Sequence, residues 1–181
     1  ITFKSVGKVL DNKTLLGDLS FGVEKGSTFV LIGENGSGKT MVLKLLVGLV
    51  AKDTGSIYIH GKDTSTRSLE TRSVCGYMPQ VINLDNDLNV FENISIYTQL
   101  YGKTKNEAKQ NILHWSELLG LNTFLSYPVN KLAYGVKRKV QFVRALAHDP
   151  DILLLDEPTT GMDPHSRSAV WNILDKLHHN K

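Results

Sequence analysis

The chain has 181 residues, 41% of them hydrophobic and 22% charged, with a formal net charge of +3. That balance suits one sizeable globular domain and excludes an overall disordered polymer. The small charge implies no direct nucleic-acid partner, and the lone Cys75 excludes both an internal disulfide and a cysteine metal cluster.

In chain order, Ser27–Gly33 (STFVLIG) predicts a short buried strand that ends in a glycine-rich turn. The following TMVLKLLVGLV has helical spacing. It is also the longest apolar run, yet it falls short of the ~20 residues that span a bilayer and contains Lys44. Any service to a membrane is therefore expected to run through a partner. Gly55–Gly61 alternates and predicts another strand. From Val90 to Leu121, Ile112, Trp115, Leu118 and Leu119 recur at helical spacing, which predicts a helical subdomain inserted into an α/β core. Asp151–Pro158 (DILLLDEP) reads as a central parallel strand running into two carboxylates. A final helix carries Ala169, Ile173 and Leu177 on one face, and a further strand is expected beyond Lys181. Trp115, Trp171 and Tyr58 are expected in packing, and the histidines show no metal-ligand spacing.

Two motifs carry chemistry. GENGSGKT, Gly33–Thr40, matches the phosphate-loop pattern in full, between a predicted strand and a predicted helix. In such a loop consecutive backbone N–H groups turn toward phosphate, and the helix N-terminus adds donors and positive potential. Lys39 can reach the β- and γ-phosphates, and Thr40 can offer its hydroxyl to Mg²⁺. Asp156 and Glu157 stand at a strand end, where parallel sheets bind ligands. There Asp156 is placed to hold Mg²⁺, and Glu157 to orient or deprotonate an attacking water. Between these motifs, KLAYGVKRKVQFVRAL sets Lys137, Arg138 and Lys139 at the start of a helix, the wrong end for cations. They either flank a docked anion or face solvent.

These motifs, with LAYGVKRKVQFVRALAHDPDILLLDEPTTGMD, resemble the nucleotide-binding domain of ABC transporters over nearly the whole chain. The resemblance implies a P-loop NTPase core of the α/β class. It would have a mainly parallel sheet, an N-terminal antiparallel β portion and an inserted helical subdomain at 83–135, within one ABC ATPase domain spanning 1–181 and incomplete at its C-terminus. It implies ATP and Mg²⁺ as ligands. Gly33, Asn35, Gly36, Ser37, Gly38, Lys39 and Thr40 would cradle the nucleotide, with Ala133 and Gly135 facing the ATP of a second nucleotide-binding domain. Thr40, Gln80 and Asp156 would serve the metal, and Glu157, Gln80, Lys39 and Asp163 the hydrolysis. The subclass resembled is the ABC-2 exporter, docked through a transmembrane permease at the cytoplasmic face of a cell membrane. Soluble family members acting in translation or DNA repair are an alternative, as is a weakly active regulatory domain.

The sequence departs from the family pattern in places. Ala133 stands where the family signature has serine, Tyr134 where it has its first glycine, and Val136 where it has glutamine. Leu10 stands at the position of the aromatic residue that lies under adenine. The family's switch histidine would lie beyond the last helix, so His178 and His179 are too early for that role.

Overall fold

The computed structural model describes residues 1–179. The chain divides into two compact units, Ile1–Cys75 and Gly76 onward.

The first unit opens with a hairpin of β1 (Thr2–Leu10) and β2 (Lys13–Gly22). Asp11 and Asn12 form its two-residue turn, and both take positive φ, 49° and 59°. Polar residues with short side chains tolerate that region, and such turns match the twist of paired strands. After α1 (Lys39–Leu46), β3 (Thr54–Ile59) pairs with the free edge of β1. The two-residue β4 (Lys62–Asp63) completes an antiparallel sheet in the order β2-β1-β3-β4. The expected N-terminal antiparallel portion is thus present. Phe3, Val6, Ile57 and Ile59 are buried, and Phe3, Phe21 and Phe29 stack in sequence at 4.5 and 5.1 Å between centroids. A short helix, α2 (Ser68–Ser73), closes the unit.

The strand expected at Ser27–Gly33 is not formed. Residues 27–34 have no ladder partner among the described residues, and Val30 and Ile32 are 67% and 91% exposed. An apolar run supplies side chains for a core, but a strand exists only where a neighbour accepts its backbone hydrogen bonds. Here β1 takes β2 and β3, while β5 (Cys75–Met78) and β6 (Ile152–Leu155) take each other.

In the second unit β5 (Cys75–Met78) lies beside β6 (Ile152–Leu155) in a parallel pair, and the Asp156 N–H donates to the Met78 carbonyl at 3.0 Å. Between them come α3 (Val90–Leu100), α4 (Lys105–Leu118), two 3-10 turns and α5 (Tyr134–Leu146). The helix α6 (Pro164–His179) follows. Capping boxes start α3 (Asn89 with Glu92) and α4 (Thr104 with Glu107), each satisfying two otherwise orphaned backbone donors. The buried row of α4 is Ala108, Ile112 and Ser116, spaced by four, whereas Leu118 faces outward. Ile112 joins Met78, Ile94, Leu121, Val140, Phe142 and Val143 in the core, with Val170 and Ile173 from α6. Trp171, expected in packing, is 55% exposed.

Gly76 sets how closely β5 approaches α5. A Cβ built there would lie 2.1 Å from the Ala145 carbonyl oxygen and 2.8 Å from Pro150. Backbone cannot yield as a flexible side chain can, so Gly76→Ala is expected to destabilise by about 1–3 kcal/mol, read as a lower denaturant midpoint at an unchanged slope.

Candidate functional site

The phosphate loop belongs to the first unit. Gly36 and Gly38 take φ of 81° and 95°, and Gly38 also presses against Leu16, where a Cβ would fall 2.8 Å from its Cδ2. The positive φ therefore favours glycine at 38, while the Leu16 side-chain end could yield. Gly38 is the N-cap of α1 and offers no side-chain cap, and the first turn holds no acid. The N–H groups at this helix end thus keep their positive potential for an anion. The Lys39 ammonium folds back over the loop, donating to the Gly33 and Glu34 carbonyls at 2.7 Å each. Ser37 N–H closes the turn on the Glu34 carbonyl at 3.2 Å. Asn35 is exposed and Thr40 half-buried in the first turn of α1. Leu10 is half exposed at the end of β1.

In the second unit the carboxylates follow β6. Asp156 is buried, and its Oδ2 has no hydrogen-bond partner among the described residues. The Tyr77 phenol on β5 is likewise buried without a partner, and burial, with the charge of Asp156 second, pushes its pKa up to about 12. Glu157 is exposed, holds a left-handed φ of 48° and accepts a hydrogen bond from Thr160 Oγ1 at 3.1 Å. Such a conformation in a non-glycine residue persists only where the surroundings enforce it.

Arg138 is the residue that sequence reasoning misplaced. It neither faces solvent nor flanks an anion, for it is wholly buried. Its Nη1 donates to the carbonyls of Pro79 and Gln80 at 2.7 and 2.8 Å, and its Nη2 to those of Glu157 and Asp156 at 2.7 and 3.3 Å. Gln80, Asp156 and Glu157 are thereby brought together through their backbones, while the Gln80 side chain stays exposed. Lys139 donates to the Leu119 carbonyl at 3.1 Å, and Lys137 lines a cavity with Gln80, Val81, Ile82 and Tyr134. The available signal was spacing: Arg138, Gln141 and Arg144 fall on one stripe of a helix whose other inner residues are apolar.

The altered signature has a local form. Ala133 is the N-cap of α5 and supplies no side-chain cap. The Tyr134 ring lies on the Gly161 backbone, since a Cβ at Gly161 would meet it at 2.4 Å, and a Cβ at Gly135 would meet the Gly161 carbonyl at 3.1 Å. Ala133, Tyr134 and Gly135 thus adjoin the TTGMD loop. Asp163 caps α6 from its own chain: Oδ1 accepts from the Ser166 N–H at 3.0 Å and Oδ2 from the Ser166 hydroxyl at 2.6 Å.

A phosphate loop opening a helix, followed in the chain by paired carboxylates at a strand end, defines the P-loop class of nucleotide-binding domains. The chain belongs to the ABC transporter family, whose model matches residues 16–160. It is 40% identical over 177 residues to Nod factor export ATP-binding protein I of Burkholderia pseudomallei, and 34% identical over 177 residues to the protein of that name from Rhizobium etli. These alignments cover 98% of this chain but only 58% and 56% of the relatives, so the chain spans a little over half their length. Among solved structures, an ATP-binding subunit of an ABC transporter superposes with a TM-score of 0.91 at 26% identity, over 99% of this chain and 75% of that one. A dimeric post-hydrolysis ATP-binding cassette bound to ADP and Pi matches at 0.90 and 24%, over 99% and 83%, and shows the shared fold.

The Asp163 cap has a pH signature. The Ser166 hydroxyl, then the Ser166 N–H, lowers its pKa from the ordinary 3.8 to about 2. A depressed carboxylate pKa stabilises the fold fully above the ordinary value, and the contribution is lost as pH falls through the folded one. A carboxyl-carbon NMR titration is expected to place the Asp163 midpoint near 2, and Ser166→Ala to return it toward 3.8.

Proposed function

We propose that this chain is the ATP-binding and ATP-hydrolysing domain of a membrane exporter, working beside a second such domain and docked on a permease at the cytoplasmic face of the membrane. Support for the exporter comes from the Nod factor export relatives, and support for nucleotide binding from the superposed ATP-binding subunit. Among the described residues no helix is long and apolar enough to cross a membrane. Residues 83–135 are read as the inserted helical subdomain that receives the permease; α3 and α4 lie within that range.

The observation that carries the enzymatic reading is the Asp156 carboxylate. A buried anionic oxygen with no donor costs several kcal/mol unless something cationic compensates it. Hard oxygen donors of this kind fit Mg²⁺, and Thr40 and Gln80 would complete the protein's share of its ligands. When bound, the cation would neutralise charge developing on the phosphates.

The chain's own residues supply the rest. Lys39 leaves its two loop carbonyls for the phosphate oxygens, exchanging neutral acceptors for charged ones. The N–H groups of Gly36 and Gly38, with Gly33, Asn35 and Ser37 shaping the turn, cradle the phosphates. Glu157, exposed and held by Thr160, takes a proton from the attacking water as general base, and Gln80 orients that water. Ala133 and Gly135 face the nucleotide of the second domain, and Asp163 borders the same interface. Slow turnover is expected, because Ala133 withholds a hydroxyl at the opening of α5.

Lys39→Ala is expected to weaken ATP affinity by about tenfold or more, the worth of one charge-assisted hydrogen bond. Unchanged affinity by calorimetry refutes the phosphate loop's role. Glu157→Gln in the full-length protein is expected to keep ATP affinity and to lose hydrolysis by about a hundredfold or more, the usual worth of a general base. An unchanged turnover number removes Glu157 from the chemistry.

A further inference from the structure

We propose that Arg138 is a positioning residue for ATP hydrolysis, one that fixes Gln80 and Glu157 relative to each other without touching nucleotide. The proposal rests on the reading of Gln80 and Glu157 given above.

The geometry is specific. One end of the guanidinium holds the carbonyls of Pro79 and Gln80, and the other those of Asp156 and Glu157. The planar fork is rigid, so the two segments are held at a set separation. No carboxylate oxygen hydrogen-bonds Arg138 among the described residues; carbonyl dipoles, the Gln141 side chain at 3.2 Å and, through space, the charges of Asp156 and Glu157 compensate its own. A cation held mainly by backbone oxygens reports on where the backbone is.

Two further observations support the role. The stripe continues along α5: Gln141 Nε2 donates to the Val81 carbonyl at 2.9 Å and to Asn83 Oδ1 at 2.8 Å, and Arg144 Nη1 donates to the Asn83 carbonyl at 3.0 Å. The segment that carries Gln80 is thus held from α5 up to Asn83. In addition, Glu157 sits at φ 48°, and its carbonyl accepts the shorter of the two Nη2 bonds, at 2.7 Å. Without that bond only the Thr160 N–H, at 3.2 Å, holds the same carbonyl, and less opposes relaxation to an ordinary conformation, which would swing the carboxylate away from the attacking water.

Lysine is a point charge on a flexible stem and cannot span both segments, while methionine keeps apolar bulk with no donor. The test uses the full-length protein with its permease and ATP–Mg²⁺, comparing wild type, Arg138→Lys and Arg138→Met, with folding checked by circular dichroism. The expected result is a kcat lowered by about tenfold or more in Arg138→Met, a smaller loss in Arg138→Lys, and KM for ATP within about threefold of wild type in both, the pattern of a misplaced group rather than lost binding. A folded Arg138→Met with unchanged kcat overturns the proposal, as does a raised KM at constant kcat. If both variants fail to fold, Arg138 is a core rivet and the positioning role is rejected. If wild type hydrolyses no ATP, or Glu157→Gln leaves turnover unchanged, the functional reading itself fails and takes this proposal with it.

Discussion

The second unit depends on one buried guanidinium. Arg138 gathers four backbone carbonyls from two segments far apart in sequence, and so satisfies polar groups that the interior would otherwise strand. A buried cation is costly where it stands alone, and here carbonyl dipoles and Gln141 surround it. Gly76 complements it. By lacking a side chain it lets β5 lie against the Ala145 carbonyl, and β5 leads directly into the Pro79–Asn83 segment that α5 holds.

The phosphate loop follows a different economy. It is exposed, built from its own backbone, and closed by the Lys39 ammonium on the Gly33 and Glu34 carbonyls. These bonds keep a cation poised over a turn whose amide groups want an anion. Its conformation depends on local residues, above all Gly36 and Gly38, whose positive φ values strain any other residue. That is why an eight-residue motif suffices to find it.

The altered signature illustrates substitution by reuse. Tyr134 covers the Gly161 backbone, so its ring rests on a glycine in the TTGMD loop. Ala133 leaves α5 without a side-chain cap, and Asp163 spends both carboxylate oxygens on its own helix.

The sequence by itself determined the features that depend on neighbours along the chain. The phosphate loop, the strand ending at Asp156, the helices α3, α4, α5 and α6, and the family were all legible in it, because turns, caps and helical periods are local. Tertiary structure alone decided the rest. Ser27–Gly33 has the composition of a buried strand, yet pairing is a property of the neighbour, and none takes it. Lys137, Arg138 and Lys139 look equivalent in a string, but the helix turns about 100° per residue, so only Arg138 of the three is fully buried, pointing at the carbonyls of 79–80 and 156–157. Which of three adjacent cations enters the core depends on what the opposite wall presents, and that wall is built from segments some 20 and 60 positions away.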